Sequence, residues 1–211
     1  MDAGVRLFAE HGIDNVSLRE ITRAAGARNS VALQHHFGDR DGLLRAIVER
    51  YRTGIEVRRH ERLDACGDRP GLRPLAEALV VPLAACLHED GGPAFLQIFA
   101  DLVNRPRPLL EPLQPTGGDI DDSMERWRRM LDPLLPRGAA HVHRRFSATL
   151  YASVEMARCA RSGPQADTDT DVVTAATVDV VAAILSAPVS AETARAVRAR
   201  DARRARTRSS A

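Results

Sequence analysis

Apolar residues recur three and four positions apart along the 211-residue chain, and alternating apolar–polar runs are missing. That period belongs to helices rather than strands. Val5, Phe8 and Ala9 predict a first helix over residues 2–11, stopped by Gly12. Ser17, with Glu20 three residues on, carries a capping-box signature for a second helix. Leu18, Ile21 and Ala25 form its apolar stripe, and Gly26 ends it. Residues 28–36 predict a short third helix, broken at Phe37 and Gly38. Asp39 caps a fourth, from Arg40 to about Arg59, with Leu43, Leu44, Ile47 and Tyr51 on one face. Short helices with glycine turns, followed by a long one, outline a helix-turn-helix unit.

The remainder reads as helical too. Asp64 to Gly71 has the composition of a loop. Further helices are predicted over about residues 73–89, 93–104, 120–135, 138–162, 168–187 and 190–206. Four prolines and two glycines between Asn104 and Gly118 interrupt them. The helix at 172–187 is apolar on nearly every side, from Val172 through Val181 to Leu185. Such a helix must be buried on several sides, and a second copy of the chain is one way to achieve that, with Val181 expected in the interface.

Composition narrows the class. Hydrophobic residues make up 44%, ordinary for a soluble domain. No apolar run approaches the ~20 residues of a membrane helix, so no membrane partner is expected. The opening MDAGVRLFAEHG is not a signal peptide. It starts inside a helical pattern, so the start is expected to be truncated. Cys66, Cys86 and Cys159 form no CxxC pair, and reduced thiols in a cytoplasmic setting are expected. All 30 basic residues are arginine. They are unevenly spread: 10 Arg face 8 acids in residues 1–60, 13 face 18 in 61–189, and 7 face 2 in 190–211. A basic front, acidic middle and basic tail are compatible with a nucleic-acid partner.

The densest polar chemistry lies in AGARNSVALQHHF, residues 25–37. On a helix, Asn29, Leu33, His36 and Phe37 share one face and Ser30, Val31, Gln34 and His35 another. Leu33 and Phe37 would anchor the helix. Asn and Gln match adenine edges, Arg matches guanine, and a small apolar residue such as Val31 meets a thymine methyl. A metal fits less well. His35 and His36 are adjacent and point about 100° apart on a helix, and His141 and His143 are also badly spaced, so no metal is expected. No phosphate loop, serine elbow or ligand array for a cofactor is present, so no enzyme and no cofactor are expected.

LFAEHGIDNVSLREITRAAG, a short helix ending in HHF, and then GDRDGLL resemble the TetR family of bacterial transcription regulators. Leu7, Phe8, Gly12, Ser17, Ile21, Ala25, Gly26, Leu33, His36, Phe37 and Leu43 match the family pattern over about residues 1–55. Arg40 stands where lysine is usual, Gln34 where tyrosine is frequent, and Val16 where threonine is usual. The stretch from Gly26 to Phe37 is one residue longer than usual, which shifts the register of Arg28 and Asn29.

The resemblance implies an all-α fold with two domains. Residues 1–55 would be an N-terminal three-helix helix-turn-helix domain, and residues 56–211 a C-terminal helical ligand-binding and dimerisation domain. It implies a homodimer on double-stranded operator DNA. A small-molecule effector would release the DNA, as in a repressor. Ser17 and Arg19, in the first turn of the second helix, suit a phosphate, although Ser17 also serves as a cap. Arg28, Asn29, Ser30, Val31, Gln34 and His35 form the groove-facing set, each with a solvated surface residue as the plain alternative. His36 would meet a phosphate or buttress the helix, and Arg40 would meet a phosphate; for Arg40 the alternative is an ion pair with Asp39 or Asp41. Phe95, Phe99, Trp127, Met130, Phe146 and Tyr151 are candidate effector contacts, with ordinary core packing as the alternative. Gln97, Asn104, His141 and His143 are candidate polar contacts. The rival from another class is a small all-α enzyme or small-molecule carrier with an apolar pocket.

Overall fold

The structure, a computed structural model, describes residues 1–26, 35–67, 69–105, 122–162 and 167–209. Among these there is no strand. Helix α1 spans Asp2–His11, and Gly12 closes it at φ +81°, a conformation that suits glycine. A 3-10 turn, Ile13–Asn15, leads to α2, Leu18–Ala24. The third helix predicted over 28–36 falls mostly outside the described residues; 35–37 are helical.

Helix α3 runs Arg40–Ala65, beyond the end expected near Arg59 and through the expected domain boundary at 55. Its inner stripe explains the length. Ile47, Tyr51, Ile55, Arg59 and Leu63 repeat every four residues and are all buried. Arg59 fills one apolar position of that stripe, so sequence patterning ended the helix too early.

Four helices build the body: α4 (Leu72–Ala85), α5 (Gly92–Asn104), α6 (Ser123–Leu131) and α7 (Arg144–Arg161). Two others follow: α8 (Asp167–Ser186) and α9 (Ala191–Ser209). The predicted helix at 138–162 is divided. A 3-10 turn, Ala139–Val142, precedes α7, and His143 between them takes φ +52°. No glycine or proline marks that break in the sequence, and it was not foreseen.

One continuous core joins both halves. Phe8, Ile21 and Leu43 of the first unit lie in the same cluster as Leu79, Phe95, Trp127 and Leu185. Helix α1 packs on α5, and α3 packs on α4 and α6. The Tyr51 ring stacks on Phe95 at 4.3 Å, and its hydroxyl donates to Asp90 O at 2.9 Å. Gly91 beside it has φ +69°, and a Cβ there would lie 2.7 Å from that hydroxyl. Only glycine fits so close an approach.

Helix α8 packs on α4 and α7, but on one side only. Val178, Val181 and Leu185 are buried within the single chain. Val172, Ala176, Asp179, Val180 and Ala183 face outward. The expectation that Val181 lies in an interface between copies is therefore corrected: it is core, with 0% exposure. Composition alone cannot distinguish the two faces of a helix that carries valine and alanine on both. No single described helix is long and apolar enough to cross a membrane.

Candidate nucleic-acid interface

Helix α2 is fixed at its start by a complete capping box. The Ser17 backbone N–H donates to Glu20 Oε2 at 2.7 Å, and the Glu20 N–H donates to Ser17 Oγ at 3.3 Å. The Ser17 hydroxyl also donates to Glu20 Oε2 at 2.7 Å. These bonds hold the Glu20 carboxyl below its ordinary range. Two backbone donors of the turn are thus satisfied locally. Arg19 is exposed on the same turn and makes no ion pair among the described residues.

His35 and His36 are exposed at the end of the predicted third helix. The His36 ring meets Phe37 edge-on at 4.5 Å, which fixes its direction. Arg28, Asn29, Ser30, Val31 and Gln34 lie outside the described residues.

Arg40 turns toward the unit's own 3-10 turn. Its guanidinium donates to Ile13 O at 3.3 Å and Asp14 O at 3.4 Å, and lies 3.5 Å from the Asp14 carboxylate. Asp41, the partner considered from sequence, is 4.0 Å away. Asp14 is shared: Arg105, at the end of α5, donates to its Oδ2 at 2.8 Å and to Asp101 at 3.3 Å. Asp14 therefore ties the turn between α1 and α2 both to α3 and to the helical body. Sequence reading missed this residue because its partners are 26 and 91 positions away.

A second link joins α3 to α6. Arg59, 4% exposed, donates to Ser123 Oγ at 2.9 Å, and Glu56 accepts from the Ser123 N–H at 2.8 Å. Burial pushes the Arg59 guanidinium below its usual value, opposed by Glu56. Arg126 adds an ion pair to Asp64 at 2.7 Å. The helix that leaves the first unit is thus held, residue by residue, to a helix of the body.

The proposed effector contacts separate in space. Phe95 is core, stacked on Tyr51 and 5.7 Å from Phe99. Trp127 is buried, with its indole N–H donating to Leu75 O at 2.8 Å. Met130 and Tyr151 are half-buried against the core. Phe146 is 50% exposed and lies with Trp127 beside one cleft between α6 and α7. His143 lines that cleft as well, whereas Gln97 bonds its own helix at Pro93 O, 3.4 Å away, and Asn104 is exposed.

No group of three or more metal-ligating side chains occurs among the described residues. Burial raises the thiol of Cys66 and pushes that of Cys86 up to about 12, so neither is a ready thiolate at neutral pH.

Residues 1–47 match the family described as bacterial regulatory proteins, tetR family. Over those residues the chain is similar to the N-terminal domain of that family. A curated relative, the HTH-type transcriptional repressor ComR of Escherichia coli (strain K12), is 25% identical over 135 residues. That match covers 64% of this chain and 59% of the relative. A solved structure, described as the probable transcriptional regulatory protein RHA5900, shares the fold at a TM-score of 0.54 and 20% identity. It covers 89% of this chain and 97% of that one, so the likeness extends from the tetR-type domain through the helical body.

Proposed function

We propose that the protein is a DNA-binding transcriptional repressor that works as a homodimer in the cytoplasm and leaves its operator when a small molecule binds the helical body. The observation that carries this reading is the tetR-type domain mounted on α3, which passes unbroken into that body. The capped first turn of α2 presents Arg19 and backbone donors to a phosphate. The groove-facing set remains Arg28, Asn29, Ser30, Val31, Gln34 and His35, with His36 at its edge. Arg40 acts by holding the 3-10 turn, and its phosphate contact is made from that position.

Dimerisation is supported by the outward apolar positions of the last long helices. Val154 on α7 and Val172 and Val180 on α8 are exposed, and Val172 is 65% so. With Ala176 and Ala183 they give α8 an outer stripe three and four residues apart, the pattern of a helix-packing seam. Pairing two copies there would bring two recognition helices to one operator with two-fold symmetry.

The test is fluorescence anisotropy on the duplex upstream of the protein's own gene, beside a scrambled duplex at equal salt. Specific binding should exceed non-specific binding by roughly a thousandfold or more. Arg19→Ala should weaken both duplexes alike and reduce the salt slope by about one. Equal weak binding to every duplex tried, including tiled flanking regions, would defeat the reading.

A further inference from the structure

Helix α9 is built unlike the rest of the chain. Seven arginines and two acids lie between Ser190 and Ala211. Its start is capped, because the Thr193 N–H donates to Ser190 Oγ at 3.1 Å. Thr193, Ala194 and Val197 are half-buried, and apolar packing ends there. From Arg198 to Ser209 the only apolar side chains are alanines, and residues 201–207 are all exposed. A helix that is polar all round needs matched charge pairs or a partner to support it. Matched pairs are few. Arg200 stands three and four positions from Arg203 and Arg204, and Arg195 three from Arg198, spacings at which like charges repel. Arg195, Arg198, Arg203 and Arg204 make no ion pair among the described residues.

The helix also starts far from the tetR-type unit. Helix α3 carries the chain away from that unit, and near its end Asp64 pairs with Arg126 of α6 at 2.7 Å. Ser123 lies back at Arg59, so α6 runs on in the direction of α3. The turn after α6 reaches the residues just ahead of α9: a Cβ on Gly138 would lie 3.8 Å from Val189 Cγ2. Between α8 and α9 the chain bends by 62° and does not reverse. The arginines therefore project from the pole opposite the tetR-type unit.

We infer that α9 is a second nucleic-acid-binding element, which takes the phosphate backbone of duplex DNA without regard to base sequence. At about 1.5 Å per residue its arginines supply roughly one charge every 3 Å, close to the ~3.4 Å between phosphates along one strand. Arginines all round the helix suit a groove with phosphates on both sides. A protein partner or a membrane surface would need an apolar face to anchor on, and α9 beyond Val197 has none. The choice of DNA over RNA rests on the repressor function proposed above, which brings the other pole to DNA; the phosphate contact does not.

The full chain is titrated by fluorescence anisotropy with a scrambled duplex at several salt concentrations. Beside it runs a variant that combines Arg195→Gln, Arg198→Gln, Arg203→Gln and Arg204→Gln. All four side chains are exposed, so the core is untouched. The variant should bind roughly tenfold or more weakly at low salt, and its log–log salt slope should flatten by about two to four. Lysine at the same four positions should keep both affinity and slope. The glutamine variant should weaken the upstream duplex by the same factor as the scrambled one. An unchanged slope, a lysine variant as weak as the glutamine one, or a loss confined to the upstream duplex would each overturn the element. So would competition by polyglutamate as strong as by unlabelled duplex, which would assign the helix to an acidic protein. Tighter binding to an RNA duplex of the same sequence, lost in the same variant, would overturn the choice of DNA. Absence of preference for any upstream duplex would sink the repressor reading and leave the change in slope standing.

Discussion

The two ends of the molecule differ in what they leave uncovered. At the tetR-type end, Arg40 and Arg105 converge on Asp14, and Arg50 reaches Asp2 at 2.6 Å. Those side chains fix helices against one another, which leaves Arg19 and the two exposed histidines to face outward. At the α6–α8 end, Arg128 pairs with Glu125 and Arg145 with Asp132, and Phe146, Val154, Val172 and Val180 remain exposed. At the first end ion pairs lock the helices to one another. The second is incomplete in one chain, by apolar area along the outer stripe. The difference teaches where to look for partners: unsatisfied groups in a packed protein mark surfaces meant to be covered.

The sharpest way to break that comparison is a neighbouring pair on α8. Val181→Asp buries a charge in the core and should cost roughly 3–5 kcal/mol or prevent folding, read by urea denaturation. Val180→Asp, one residue away, should leave the monomer folded and convert dimers to monomers by light scattering. If Val180→Asp stays dimeric, the outer stripe is not the interface. Next in size is the link between α3 and α6. Arg59→Ala removes the donor to Ser123 and leaves Glu56 without its cation, which should cost about 2–4 kcal/mol. Arg59→Met, which restores the apolar stripe, should recover most of it. Equal losses in both variants would show that the charge itself is required there.

The smallest effect belongs to the cap of α2. Ser17→Ala should cost about 1 kcal/mol in the same denaturation assay. Because the Glu20 carboxyl is held below its ordinary value in the folded chain, its stabilisation is present above the unfolded carboxylate pKa. It fades as pH falls through the lowered one. The Ser17→Ala penalty should therefore shrink under acid conditions, and a penalty independent of pH would mean that Glu20 takes no part.

The sequence by itself determined the helical class and the first two helices with their caps. Those features are local: a 3.6-residue period, a Ser–Glu pair three apart and a glycine at a turn act within a few residues. Helix α1 and the capping box over Ser17 and Glu20 appear as the pattern requires. Tertiary structure decided the rest. It placed Asp14 between two arginines, put Arg59 inside an apolar stripe, turned Val181 inward and Val180 outward, and broke the chain at His143. It also buried Phe95 and Trp127 in the core, left Phe99 half-buried beside Phe95, and exposed Phe146. The physical reason is that a side chain's role depends on what distant segments bring against it. Burial and ion pairing are settled between residues far apart in the chain, where no periodicity records them.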